Sequence, residues 1–323
     1  MARRNPLSEP IEIAEVDAHA APNEVLARFH AIEVSCHEEL QPGEPVPGAE
    51  EVIAFYRYQP TTRTSCHWLA DRGSASLYVH GPTAAFLHLL VAPAKRRRGL
   101  GSALLARVLE RARQLEVRAL RGSYATAAGA GFAAHVGAVA EDRVVRSVLD
   151  LRAADLPEPR IPDGFQLITW LERVPDEHLT AYVEARAAMD DAPGPEGMEI
   201  PSGSGESVRA SEESLMRRDR EMRLTVAMDD HCRVGAFTEL RVSRGSKLGF
   251  TDDTGTVAAL RGLGLARAVK LESLRRLRAD HPEVEVVSTS NAEENTVMRH
   301  LNESIGFRPT ATLTGAVLEL RQS

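Results

Sequence analysis

The sequence has few cysteines and few aromatic residues. Three of its 323 residues are cysteines, Cys36, Cys66 and Cys232, and no two of them form the CxxC spacing of metal or redox sites. This spacing predicts reduced thiols and a cytoplasmic location. Aromatic residues make up 5% of the chain, and its formal net charge is -7. Both values disfavour a nucleic-acid partner, because surfaces that bind nucleic acid are basic and often stack bases on aromatic rings.

Long apolar runs are also missing. The opening "MARRNPLSEP" is followed by "IEIAEVDAHA", which carries acidic residues where an export signal needs an apolar core. Residues 122–140 carry no charge but are rich in alanine and glycine, and are too weakly apolar for a membrane span. The segment "CHEEL" lacks the HExxH spacing of a zinc site. We therefore expect no membrane association and no metal.

The length of the chain predicts two domains, since single cores rarely grow to 323 residues. The segment "RAADLPEPRIPDG" concentrates prolines and charges, as linkers do. We expect an N-terminal domain over residues 1–155 and a C-terminal domain over residues 156–323. In both, apolar patterns predict helices, an antiparallel strand meander, then a long helix between two parallel strands. The fold class is α/β (α+β), with one unit repeated.

A glycine-rich cluster occurs once in each half. The stretch "APAKRRRGLGSALL" contains Arg96, Gly99 and Gly101, and "ALRGLGLARAVKL" contains Arg261, Gly264 and Ala266 at the same spacing. The two arginines are 165 residues apart (261 − 96). Glycines at the start of a helix let its unpaired N–H groups approach an anion, so both clusters suit a pyrophosphate. Neither has the GxxxxGK of a Walker loop or the third small residue of a GxGxxG dinucleotide motif.

These clusters give the chain a resemblance to a known family. With "LLVAPAKRRRGLGSALLARVLERA" and "NAEENTVMRHLNESIGFRP", the sequence resembles the GNAT acyltransferase superfamily in both halves, and tandem GNAT proteins of the mycothiol synthase type in particular. The resemblance implies two tandem GNAT folds. Each is a mixed, mostly antiparallel sheet flanked by helices, with a splayed pair of parallel strands. It also implies acetyl-CoA, or another acyl-CoA, bound in the splay.

The resemblance assigns acyl-CoA contacts to the strand, the loop and the helix start of each half. The residues concerned are, in the first half, Leu89, Leu90, Val91, Arg96, Arg97, Arg98, Gly99, Leu100, Gly101 and Ser102, and, in the second half, Thr256, Val257, Arg261, Gly262, Leu263, Gly264, Leu265, Ala266, Asn291 and Asn295.

The family's usual general acid is absent from both halves. A tyrosine commonly stands four positions before the closing glycine, whereas this sequence has Asn302 before Gly306 and Ala133 before Gly137. Asparagine cannot donate a proton at neutral pH, but it can hydrogen-bond an oxyanion or a substrate, so Asn302 is a candidate catalytic residue. Tyr124 is a candidate substitute in the first half.

Direct attack of an amine on a thioester also needs a general base. Glu239 in "FTELRV" and Asp253 in "TDDTGTV" lie on predicted strands beside the second splay, where either could act, although each could also be a solvated strand carboxylate. Asp190 and Asp191 in "AMDDAP" are candidate substrate ligands, or simply end a helix.

Other clusters carry less weight. His88 and His135 flank the first site, where packed or surface histidines are the simpler interpretation. Four basic residues are expected on a solvated helix face: Arg217, Arg218, Arg220 and Arg223.

The sequence thus predicts an acyl-CoA-dependent N-acyltransferase acting on a small-molecule amine, as a monomer or homodimer. The C-terminal domain is favoured as catalytic, with the N-terminal domain a degenerate binder or structural partner. The alternative is a non-catalytic acyl-CoA sensor or scaffold, because both copies lack the tyrosine.

Overall fold

Helices and strands follow the same order in the two halves of the chain. A computed structural model describes residues 11–59, 64–79, 84–187 and 204–320. The first half contains β1 (Ala14–Val16), α1 (Asn23–Leu40), α2 (Ala49–Arg57), β2 (Thr64–Leu69), β3 (Gly73–Val79), β4 (Ala84–Val91), α3 (Leu100–Gln114), β5 (Ala119–Tyr124), α4 (Ala127–Val136) and β6 (Val139–Asp150). The second half contains β7 (Phe165–Leu171), α5 (Leu179–Arg186), α6 (Gly205–Arg217), β8 (Arg220–Asp229), β9 (Val234–Ser243), β10 (Leu248–Thr256), α7 (Leu265–Asp280), β11 (Val286–Ala292), α8 (Thr296–Ile305) and β12 (Arg308–Glu319).

All of these strands form one sheet, in the order β1-β2-β3-β4-β5-β12-β6-β11-β10-β9-β8-β7. Two neighbouring pairs are parallel, β4 with β5 and β10 with β11, and the other pairs are antiparallel. Each parallel pair is joined through the long helix α3 or α7, as a crossover requires. The predicted mixed, mostly antiparallel sheet with parallel pairs is therefore confirmed.

The last strand of each half pairs with a strand of the other half. Strand β12 pairs with β5, from Thr314 opposite Tyr124 to Glu319 opposite Ala119. Strand β6 pairs with β11 over seven residues, and β6 and β12 also pair with each other at the centre of the sheet. Backbone hydrogen bonds therefore join the residues before position 156 to those after it. The division of the chain into two domains at this position stays a prediction.

Helices cover both faces of the sheet. Helix α3 packs through Leu104, Leu105, Val108 and Ala112, and α1 and α2 form a separate core with Leu69 and Leu90. Because neighbouring strand residues such as Trp68 and Leu69 belong to different cores, α3 lies on the opposite face from α1 and α2. The second half repeats this arrangement, with α5 and α6 on one face and α7 on the other.

One sequence interpretation is wrong. Helix α6 ends at Arg217, and Arg220 and Arg223 lie on strand β8 instead of on a solvated helix face. The side chain of Arg223 is 1% exposed and forms ion pairs with Glu221 and Asp280. The charged residues at the start of β8 resemble a solvated helix, whereas most of the later residues of this strand are apolar and buried. Separately, no helix within the described ranges is long and apolar enough to cross a membrane.

Candidate active site

The parallel strands of the first half separate part of the way along β4. Pairing with β5 is recorded from Ala84 to Phe86, whereas β4 continues to Val91. A Cβ atom added to Gly122 on β5 would lie 3.2 Å from the carbonyl oxygen of Leu87, so the strands are still close there. The gap therefore opens at His88, and the backbone of Leu89, Leu90 and Val91 borders it.

The second half has the same gap. Strand β10 pairs with β11 from Leu248 to Thr251 and then continues to Thr256. A one-residue bulge against β9 lies between Thr251 and Thr254. Bulges bend a strand and redirect its side chains. Asp252 and Asp253 fall within this bulge, at the place where β10 and β11 separate.

Both loops that follow the gap have nearly the same backbone. A single 3-10 turn, Pro93–Lys95 or Ala258–Leu260, is followed by an extended arginine, Arg96 (φ -67°) or Arg261 (φ -63°). The next residue has a positive φ, 61° at Arg97 and 83° at Gly262. Helices α3 and α7 then begin after Gly99 (φ 82°) and Gly264 (φ 81°).

The start of each long helix suits an anion. Neither α3 nor α7 has a side-chain cap or an acidic residue in its first turn. The first N–H groups of a helix have no partner within the helix, and its dipole is positive there. A Cβ atom added to Gly99, Gly262 or Gly264 would meet no atom within 4 Å, so the outer side of each loop is open. The residues present thus fit the phosphate-bearing group that the sequence predicts.

The first arginine of each loop holds the loop in shape. Nε of Arg96 donates to the carbonyl of Val91 at 3.0 Å, and Nε of Arg261 donates to the carbonyl of Thr256 at 3.4 Å, in each case five residues back. Arg96 also forms an ion pair with Glu39 of α1 at 2.8 Å. These guanidinium groups therefore tie the loop to the end of the strand, and the open backbone N–H groups remain for a ligand.

A charged cluster lies between α5 and the strands β9 and β10. Glu239 on β9 accepts hydrogen bonds from Tyr182 and Arg186 of α5, and from Arg241 at 3.3 Å. Its side chain is 4% exposed. With two arginines and a phenol on its two oxygens, this carboxylate is an anchor for Arg186.

Asp253 is the accessible acid of the cluster. Its carboxylate accepts a hydrogen bond from Nη2 of Arg186 at 3.0 Å, and its side chain is 35% exposed. Burial, followed by repulsion from Glu239 and Asp252, raises the pKa of Asp253 to about 6. Burial also raises the pKa of Asp252, which forms an ion pair with Arg241.

Asn302 lies behind β11, on α8. Its side-chain NH₂ donates to Oδ1 of Asn291 at 2.7 Å, its exposed fraction is 2%, and its own Oδ1 has no hydrogen-bond partner among the described residues. Asn295 caps α8 by accepting from the N–H of Met298 at 3.1 Å. No described contact joins Asn302 to the charged cluster.

The structure thus brings together two of the three predicted catalytic residues, since Arg186 contacts both Glu239 and Asp253. Asp190 and Asp191 lie outside the described residues. Sequence reasoning missed Arg186 and Tyr182, although their four-residue spacing on a helix could have indicated a shared face. It also missed Arg241, which shares a strand face with Glu239 through the period of two.

Within the described ranges, no three or more His, Cys, Asp or Glu side chains come together in a group that could hold a metal ion.

Comparison with known proteins supports this architecture. Residues 28–132 match the model of the acetyltransferase (GNAT) family. A solved tandem GNAT protein from the clavulanic acid biosynthesis pathway is 24% identical, with a TM-score of 0.83 over 97% of this chain and 99% of that chain. A GCN5-related N-acetyltransferase from Sphaerobacter thermophilus is 17% identical, with a TM-score of 0.72 over 96% of each chain. No curated protein sequence matches the chain.

The particular similarity to mycothiol synthase stays a prediction. The family match covers the first loop and its gap, and the shared fold covers both halves. Residues 28–132 therefore match the GNAT family, and the chain as a whole has the fold of a solved tandem GNAT protein.

Proposed function

We propose that the chain is an acyl-CoA-dependent N-acyltransferase, with acetyl-CoA as donor and a small-molecule amine as acceptor, whose C-terminal half carries out this transfer. The observation that supports it best is the place of Asp253. This acid stands where β10 and β11 separate, a few residues before an open loop that suits a pyrophosphate. A base and an anion site thus border one gap.

The acyl donor supplies a thioester carbonyl. Backbone groups of residues 261–266 and of the edge of β10 would hold the donor. Asp253 accepts a proton from the acceptor's ammonium group and leaves a neutral, nucleophilic amine. A pKa of about 6 suits this task, because the carboxylate is ionised at neutral pH and still binds a proton better than an ordinary aspartate.

Arg186 and Glu239 position the base. Glu239 holds Arg186, and Arg186 in turn fixes the carboxylate of Asp253. The cluster contains the carboxylates of Asp252, Asp253 and Glu239 and the guanidinium groups of Arg186 and Arg241, a formal excess of one negative charge. This excess favours a cationic amine at the site.

Protonation of the departing thiolate falls to solvent, since Asn302 cannot donate a proton. A thiolate is a tolerable leaving group, so the missing tyrosine does not prevent turnover. Asn291 lies on β11 just beyond the last residue paired with β10, and Asn302 of α8 donates a hydrogen bond to its side chain.

The test measures release of free CoA from acetyl-CoA with a panel of amines. We expect turnover with at least one amine, and we expect kcat/KM to rise with pH through about 6 because only the ionised Asp253 accepts a proton. Asp253→Asn should lower kcat by about 100-fold or more, in the range typical of lost general-base catalysis.

Asp230→Asn, in an exposed turn, is the matched control and should retain wild-type rates. Tight acetyl-CoA binding without turnover by any amine would favour the sensor instead. Absence of acetyl-CoA binding would overturn the proposal.

A further inference from the structure

His88 occupies the place in the first half that Asp253 occupies in the second. Each lies eight residues before the arginine of its loop, Arg96 or Arg261. Each also lies where the parallel strands part, after Phe86 on β4 and after Thr251 on β10. The two gaps thus present a titratable side chain at equivalent positions.

His88 also faces the equivalent side of the sheet. On β4, Leu87 and Leu89 pack with α3, whereas Leu90 packs with α1 and α2. Because side chains alternate along a strand, His88 lies on the α1 side with Leu90. Asp253 lies on the α5 side through its contact with Arg186, and α5 follows the first strand of its half as α1 does.

The imidazole is available for chemistry. Neither ring nitrogen has a hydrogen-bond partner within the described ranges, and the side chain is open to solvent. Enough protein surrounds the ring that desolvation lowers the pKa of His88. Its neutral form holds a free ring nitrogen that accepts a proton.

The surroundings of His88 differ from the charged cluster of the second half. Ser76, directly opposite on β3, bonds the buried ring of His67 at 3.0 Å. The next pair on that face is Tyr78 with Phe86. Phe55 of α2 lies 6.4 Å from the Tyr78 ring, between ring centroids. This side of the gap is therefore largely aromatic.

We propose that the N-terminal half is a second acyl-transfer centre, in which His88 is the general base and the acceptor is an amine with an aromatic or apolar body. The inference rests on the proposed function, because it needs the same acyl donor. The ammonium of the acceptor loses a proton to a ring nitrogen of His88. The amine nitrogen forms a bond to the thioester carbon and the C–S bond breaks. The nitrogen then loses its second proton to solvent, and the departing thiolate takes up a proton from solvent.

The aromatic side chains decide the acceptor class. Aromatic rings bind apolar and aromatic bodies by burial and ring contact. The carboxyl of Glu33 lies beside these rings, where it accepts a hydrogen bond from Tyr56, and burial raises its pKa to about 7, so it carries less negative charge than the cluster of the second half. The two halves would thus divide acceptors by the polarity of the group that carries the amine.

The experiment uses the full chain with acetyl-CoA and measures CoA release with 2-phenylethylamine and, separately, with putrescine. His88→Gln should lower kcat for 2-phenylethylamine at least 10-fold, with KM changed by less than about threefold, and should leave putrescine turnover within twofold of wild type. In an Asp253→Asn background, adding His88→Gln should remove the remaining 2-phenylethylamine turnover.

His135→Gln is the matched control, since His135 is an exposed histidine of the same half on α4. Calorimetric titration with acetyl-CoA should give two sites per chain in wild type and in His88→Gln, which shows that the variant is folded.

Two results overturn the second centre. One is unchanged 2-phenylethylamine turnover in His88→Gln. The other is putrescine turnover in wild type without any 2-phenylethylamine turnover. Both leave the proposed function standing, whereas absence of acetyl-CoA binding and of CoA release with every amine overturns the proposed function itself.

Discussion

The two loops of this protein have the same backbone and different side chains. The first reads Arg96-Arg97-Arg98-Gly99 and the second Arg261-Gly262-Leu263-Gly264, yet the positive φ angles fall at the same two places. Three consecutive arginines in one copy become a single arginine in the other. The shape of the loop is thus set by the arginine that bonds the strand end and by the glycine before the helix.

The two halves differ more strongly beneath the loops. Counting 165 residues from one half to the other, His88 corresponds to Asp253 and Leu105 to Lys270, and the capping glycines Gly137 and Gly306 place Ala133 opposite Asn302. The first half fills these sites with apolar or neutral groups, whereas the second has a partly exposed carboxylate, a buried amine and a buried amide. A common backbone therefore supports two chemically different sites.

The largest effect is expected from removing β12, which tests whether the halves are structurally independent. A chain ending at residue 306 would leave β5 and β6 without their shared neighbour. Unpaired backbone groups are costly, so both halves should lose stability although the cut lies in the second. Hydrogen exchange should show that the amides of Ala119–Tyr124 lose protection.

Removal of residues 321–323 alone is the control for this truncation. Full protection of β5 in the chain ending at residue 306 would mean that the first half folds without the second.

The repeat explains why most of the fold could be predicted. Helices α1, α3 and α7 and the meander of each half have clear periodicity, and the matching loops locate both crossovers. The exchange of β6 and β12 could not be predicted, because each strand has the same pattern whichever half it pairs with. The pairing depends on long-range hydrogen bonds that a single sequence does not encode locally.

The site was predicted in part for a similar reason. Glu239 and Asp253 were visible as carboxylates on strands beside the second gap. Their different roles depend on Arg186, which comes from a helix more than 50 residues earlier in the chain and makes one acid an anchor and the other a candidate base. His88 looked like an isolated histidine until the strand register placed it at the equivalent gap.

An intermediate effect is expected at Lys270. This lysine is 2% exposed, its Nζ lies 5.6 Å from the ring centroid of Phe307, and no described residue forms an ion pair with it. Burial lowers its pKa to about 7. Above that value the unfolded chain still binds the proton that the folded chain has lost, so wild-type stability should rise with pH from about 7 toward 10.

Lys270→Met should therefore stabilise the protein by about 1–3 kcal/mol at pH 7, with a gain that shrinks as pH rises. Urea unfolding at several pH values measures this, and Leu105→Met, at the corresponding position, should cost less than about 1.5 kcal/mol at every pH. A loss of stability in Lys270→Met that does not vary with pH would show that the ammonium has a partner in the folded state.

The smallest effect is expected at Arg97, where the loops differ in residue type but not in backbone. A left-handed conformation costs a non-glycine residue about 1–2 kcal/mol, part of which glycine loses again through its greater freedom in the unfolded chain. Arg97→Gly should therefore raise the free energy of unfolding by about 0.5–1 kcal/mol. Arg98→Gly removes the same charge at a residue without a positive φ, so it should give no gain. Equal gains in the two variants would mean that relieved charge repulsion among the arginines, and not backbone strain, distinguishes the first loop from the second.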